Sequence, residues 1–158
     1  MPSPLVIQCA ELLKEKNLTI VFAESATAGR LCYEFSLIEK AGKFLKGSLV
    51  TYSADLKQDN LRVKGSLIEK YSPESAEVTA AMTAGMITLF PADIYISVTG
   101  LLQPGGSESE EKPVGTVFIH GRYDGQDYLE RIVFKGGPEE IVLQTVDRVA
   151  FLVSRTIQ

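Results

Sequence analysis

Leu18-Thr19-Ile20-Val21-Phe22-Ala23, followed at once by Glu24-Ser25-Ala26-Thr27-Ala28-Gly29, decides how this chain is built. An apolar run rich in β-branched residues stops in a cluster of small and polar ones, the pattern of a buried strand that delivers its end into a turn. Upstream, Leu5, Cys9, Leu12 and Leu13 recur at helical spacing, and Lys14-Glu15-Lys16-Asn17 closes that segment. Downstream, Leu31, Phe35 and Leu37 or Ile38 give an apolar stripe to a helix expected over residues 27–38.

The alternation continues along the chain. Gly42 and Gly47 punctuate the next connection, and Ser48-Leu49-Val50-Thr51-Tyr52 is the next strand candidate. A helical segment to Arg62 breaks at Lys64-Gly65, and Ser72-Pro73-Glu74 then reads as the start of a long helix, with a serine N-cap, proline at the first position and acid in the first turn. Asp93-Ile94-Tyr95-Ile96-Ser97-Val98 follows as a strand. Residues 100–114 form a long aperiodic connection of the kind that is often functional. Residues 115–120 and 128–134 predict a hairpin around Asp124-Gly125, and Gly137-Pro138-Glu139-Glu140 starts a terminal helix to about Arg155. Helices and strands that alternate, then a hairpin and a last helix, predict one α/β domain with a mixed sheet over residues 1–158.

Composition narrows the function. With 158 residues and 45% hydrophobic content the chain can bury a substantial core. A net charge of −4 gives no broad footprint for nucleic acid, so a small-molecule partner fits better. Cys9 and Cys32 lack metal-ligand or redox spacing and read as buried small apolar residues. No signal-type segment or membrane-length apolar run is present, so neither a membrane nor nucleic acid is expected as partner and a cytoplasmic location is expected. The expected assembly is a homo-oligomer, with a dimer as the leading form.

The chemistry gathers where apolar runs end. Ser25 stands at a strand-to-helix turn, Tyr52 and Lys57 follow a second strand, and Thr99-Gly100 opens the long loop that holds Gly105, Gly106 and Lys112. In open α/β sheets ligands collect beyond the carboxyl ends of strands. A serine hydroxyl needs a base, and the only histidine, His120, falls inside a strand, which disfavours a Ser-His-Asp triad. Lys57 could serve instead if burial lowers its pKa. Taken singly, Ser25 or Thr27 is more commonly a helix cap, Lys57 a solvated lysine and Tyr52 a half-buried strand residue; their joint spacing reverses that preference. The start of the helix after Ser25 is a candidate oxyanion site, and the glycines allow backbone donors to approach a ligand.

Three ordered motifs carry a family resemblance over nearly the whole chain. Glu24, Ser25 and Thr27 match an E-S-C-T-G-G motif; Thr51, Tyr52, Ser53 and Lys57 match F-V-T-Y-S-N-E-A-K; Gly100, Pro104, Gly105, Gly106 and Glu111-Lys112-Pro113-Val114-Gly115 match G-I-A-G-P with the E-K-P-V-G that follows. The chain resembles the C-terminal domain family of the competence/damage-inducible protein CinA, whose stand-alone members include bacterial nicotinamide-nucleotide amidases. The resemblance implies a three-layer α/β/α sandwich with a mixed sheet. It also implies Ser25 as nucleophile, Lys57 as base and Tyr52 as an assisting residue that relays a proton or holds Lys57. Glu24, Thr27, Thr99, Gly100, Gly105, Gly106 and Lys112 become the expected substrate-binding residues, with Glu24 orienting the turn. The implied reaction converts the carboxamide of nicotinamide mononucleotide to the acid and ammonia, and requires neither a metal nor an organic cofactor.

Four departures from the family pattern stand out. Ala28 replaces the first glycine of T-G-G, Leu102-Gln103 replaces A-G, the third loop is one residue longer, and Gly136-Gly137-Pro138 stands where many members have G-D-R. The last removes an arginine suited to phosphate, so an altered-substrate or non-enzymatic relative that binds a nucleotide-like ligand is the alternative expectation.

Overall fold

The computed structural model describes residues 1–158. Its centre is the strand read first, β1 (Ile20–Glu24), buried along its whole length between two parallel neighbours, β2 (Leu45–Val50) and β3 (Ile94–Gly100). β4 (Thr116–Tyr123) pairs antiparallel with β3, and β5 (Gln126–Val133) with β4, giving a mixed five-stranded sheet in the order β2-β1-β3-β4-β5. Asp124 and Gly125 both take positive φ at the hairpin, as a two-residue turn matched to strand twist requires.

Six helices cover the two faces. α1 (Pro4–Glu15), α2 (Arg30–Ser36) and α6 (Pro138–Ile157) pack on one side, whereas α3 (Ala54–Leu61), α4 (Gly65–Tyr71) and α5 (Ala76–Leu89) pack on the other. The period-two geometry of β1 explains the division: Ile20 and Phe22 enter the first core, and Val21 and Ala23 the second. In the first core Phe22 lies 5.3 Å from Phe35, ring centre to ring centre, and Phe35 lies 6.4 Å from Phe44. Burial of each such side chain contributes about 1.5–3 kcal/mol. The single-domain α/β fold with a mixed sheet is the one the sequence pattern predicts, and its three-layer α/β/α form is the one the family resemblance implies. No helix is long and apolar enough to cross a membrane.

Several local expectations require correction. The long helix starts at Ala76, capped by Ser75, whose Oγ accepts from the Val78 N–H at 3.2 Å; Ser72 instead closes α4 at φ 77°. α4 itself lies just beyond Lys64-Gly65, because Arg62 ends α3 in the left-handed region and the chain starts a new turn. α2 begins only at Arg30, since Ala28 and Gly29 both have positive φ. β2 ends at Val50 rather than Tyr52 because Ser53 caps α3 by accepting from the Leu56 N–H at 3.3 Å. Cys9 is buried, but Cys32 is only half-buried.

Candidate active site

β1, β2 and β3 run parallel, so their carboxyl ends open on one edge of the sheet. Ser25 follows β1 immediately: its N–H donates to the Val98 carbonyl at 3.0 Å, and its own carbonyl accepts from Ala28 at 3.0 Å. These bonds fold the segment into a tight turn. Lys57 arrives from α3, which Ser53 starts just past β2, and is 1% exposed.

The Lys57 Nζ lies 3.0 Å from Ser25 Oγ, 2.7 Å from the Thr51 carbonyl and 3.2 Å from the Tyr52 carbonyl. A neutral amine has two N–H bonds and one lone pair. In that neutral form the two carbonyls, which can only accept, take the two N–H bonds and leave the lone pair for the serine hydroxyl; the ammonium form donates to all three oxygens. Burial pushes the Lys57 pKa below its ordinary value, against the opposing pull of the Glu74 charge. This geometry suits proton removal from Ser25.

A cleft of about 220 Å³ opens over Ser25, lined by Ala26, Tyr52, Glu74 and the loop from Gly100 to Gly106. That is below the usual range of about 300–1,000 Å³ for whole-ligand pockets, so it suits an aromatic amide with the remainder of a larger ligand projecting outward. The Ala26 N–H, next to Ser25, makes no hydrogen bond within the chain. Like the Thr27 N–H, which is also unpaired, it is a candidate oxyanion donor beside the hydroxyl.

The start of α2 does not provide that oxyanion site. Glu24 is fully buried, and its carboxylate accepts from the N–H groups of Gly29, Leu31 and Cys32, each at 3.0 Å. Thr27 Oγ1 at 2.7 Å and Ser48 Oγ at 2.8 Å complete its partners. Glu24 therefore fills the helix terminus and fastens the turn to β2. Neither it nor Thr27 is among the residues lining the cleft.

Thr99 and Lys112 also lie outside the cleft lining. Thr99 is buried beneath the cleft with its Oγ1 2.8 Å from that of Thr79. Lys112 donates to Ser72 Oγ, the Glu74 carbonyl and Ser107 Oγ at 2.6, 2.8 and 3.0 Å, thereby tying the long loop to the start of α5. Gly100, Gly105 and Gly106 do line the cleft. However, the Gly105 and Gly106 N–H groups both donate to the Glu108 carboxylate at 2.8 Å, so an internal anion holds the donors expected for phosphate. Tyr52 stands at the cleft, 62% exposed as a residue, and it is the backbone carbonyl that contacts Lys57. Gly136-Gly137-Pro138 lies outside the cleft lining.

His120 is buried away from this site with Nδ1 2.9 Å from Thr83 Oγ1, and desolvation lowers its pKa. Two contributors escaped the sequence reading. The Ser72-Pro73-Glu74 pattern points Glu74 to a helix first turn, and Ala26 carries no side-chain signal; only its position after Ser25 marks it.

The match to known proteins is consistent along the chain. The family described as the CinA C-terminal domain matches residues 3–157. A CinA-like protein of Petrotoga mobilis is 38% identical over 138 residues, or 87% of this chain and 34% of its own length. The chain spans about a third of the length of the curated relatives it matches. The crystal structure of a CinA superfamily protein from Klebsiella pneumoniae superposes with a TM-score of 0.91 at 28% identity, covering 97% of this chain and 95% of that one. The competence/damage inducible protein CihA of Agrobacterium tumefaciens gives a TM-score of 0.92 at 25% identity, covering 100% and 99%. With three motifs, a common fold and a match over almost every residue, the chain belongs to the CinA C-terminal domain family.

Proposed function

We propose that this domain is a serine amidohydrolase that removes ammonia from the carboxamide of nicotinamide mononucleotide. The observation that carries the reading is the buried Lys57 amine 3.0 Å from Ser25 Oγ, with two carbonyls positioned to accept its N–H bonds. Lys57 takes the serine proton as Ser25 Oγ attacks the carboxamide carbon. The Ala26 N–H donates to the oxygen of the tetrahedral intermediate. Lys57 then passes its proton to the departing nitrogen, the C–N bond breaks and ammonia leaves. Water attacks the resulting ester, with Lys57 again accepting a proton, to release the carboxylic acid and restore Ser25. Tyr52 acts through its carbonyl as a positioning residue for Lys57.

A second reading, an altered-substrate member of the family, is favoured by the Glu108 carboxylate on the Gly105 and Gly106 donors. Incubation with nicotinamide mononucleotide, with products identified by mass spectrometry and ammonia quantified, tests the first reading. Nicotinic acid mononucleotide and ammonia in equal amounts are expected. No product at any enzyme concentration favours the second.

A further inference from the structure

We propose that Glu74 sets the charge selectivity of the cleft, favouring a carboxamide carried on a cationic aromatic ring, such as a pyridinium N-glycoside, over the same amide on a neutral ring. The inference deepens the amidase reading and rests on it for placing the amide at Ser25. Glu74 is the only residue with a charged side chain among those lining the cleft. It is held there at both ends: its Oε2 accepts from Ser107 Oγ at 2.5 Å, and its backbone carbonyl accepts from Lys112 Nζ at 2.8 Å.

Its carboxylate makes no direct ion pair; the Lys112 ammonium lies one hydroxyl away, donating to the Ser107 Oγ that in turn donates to Glu74 Oε2. Lys112 directs its ammonium to two hydroxyls and a carbonyl, and Lys57 directs its nitrogen to Ser25 and the carbonyls of Thr51 and Tyr52. A carboxylate without a direct ion pair in a small cleft attracts positive charge more strongly than it would in open water. A quaternary ring nitrogen has no N–H to offer, so its recognition is Coulombic, and the exposed ring of Tyr52 at the same cleft adds an aromatic surface suited to a cation. A neutral ring gains neither contribution.

The test compares nicotinamide riboside, a pyridinium cation, with the C-riboside of benzamide, its neutral counterpart, by calorimetric binding to the Ser25→Ala protein so that turnover does not intervene. The cation is expected to bind at least about fivefold more tightly, the scale of a partly exposed charge pair of about 1 kcal/mol. That preference should collapse in Ser25→Ala/Glu74→Gln and survive in Ser25→Ala/Glu74→Asp, which keeps the charge. A role confined to holding Ser107 would move both ligands alike. An unchanged preference in the Gln variant, no preference in Ser25→Ala, or no binding of either ligand overturns the proposal. Absence of wild-type turnover alongside a Glu74-dependent preference contradicts the amidase reading alone.

Discussion

Lys57 meets Ser25 out of contact with solvent: its Nζ lies 3.0 Å from the serine hydroxyl while the residue is 1% exposed. Burial lowers the Lys57 pKa, and the Glu74 charge raises it in partial opposition. Only the neutral amine can accept the serine proton. kcat/KM for the amide should therefore rise with pH as Lys57 deprotonates, with its midpoint below the ordinary lysine value of 10.5. Because Glu74 favours the ammonium, Glu74→Gln should move this limb to lower pH. A limb at or above the ordinary value, or a shift in the opposite direction, contradicts the assignment.

Glu24 makes a separate, structural prediction. Glu24→Ala leaves three N–H groups and two hydroxyls without their shared acceptor. A loss of about 3–5 kcal/mol is expected from urea unfolding. Ser48→Ala, which removes one of five donors, should cost about 1 kcal/mol. A change within about 0.5 kcal/mol for Glu24→Ala contradicts the role assigned to the carboxylate.

Ala28 occupies a backbone conformation unsuited to its side chain, at φ 47°. The left-handed region costs an alanine about 1–2 kcal/mol, partly offset by the lower flexibility of the unfolded alanine chain. Ala28→Gly should stabilise the protein by about 0.5–1 kcal/mol, measured by urea unfolding. Destabilisation would show that the turn relaxes in solution.

The loop after β3 makes a prediction about phosphate. Glu108 holds both glycine donors, and the N–H of Gly105 is the leading cause that lowers its carboxyl pKa. A phosphate must displace that carboxylate to use them. Glu108→Gln should lower KM for nicotinamide mononucleotide more than for nicotinamide riboside, narrowing any preference for the riboside about tenfold or less, within the range of one charge-assisted contact. Equal effects on both substrates would place phosphate recognition elsewhere.

The sequence made the layered fold legible because β1 announces itself through an apolar run and its polar exit, and because the ends of β2 and β3 repeat that transition. Ser25 and Lys57 were legible through motif spacing. Their contact was not, since it depends on α3 turning back beneath the Ser25 loop. Boundaries failed where side-chain caps compete: Ser72 and Ser75 are both plausible caps in sequence, and only Ser75 has an N–H in reach. Glu24, Thr99 and Lys112 illustrate a different limit. Each lies in a motif beside the cleft, yet its hydrogen bonds are spent on holding the walls.

The central claim is that Ser25 and Lys57 form one catalytic unit for amide hydrolysis. Ammonia release from nicotinamide mononucleotide should be measured for the wild type, Ser25→Ala, Lys57→Ala and the double variant, with folding verified by circular dichroism. Each single change should lower kcat by about a thousandfold or more, and the double variant should be little worse than either, because residues that act together do not contribute additively. Wild-type activity in Ser25→Ala, or losses that simply multiply in the double variant, would contradict the account.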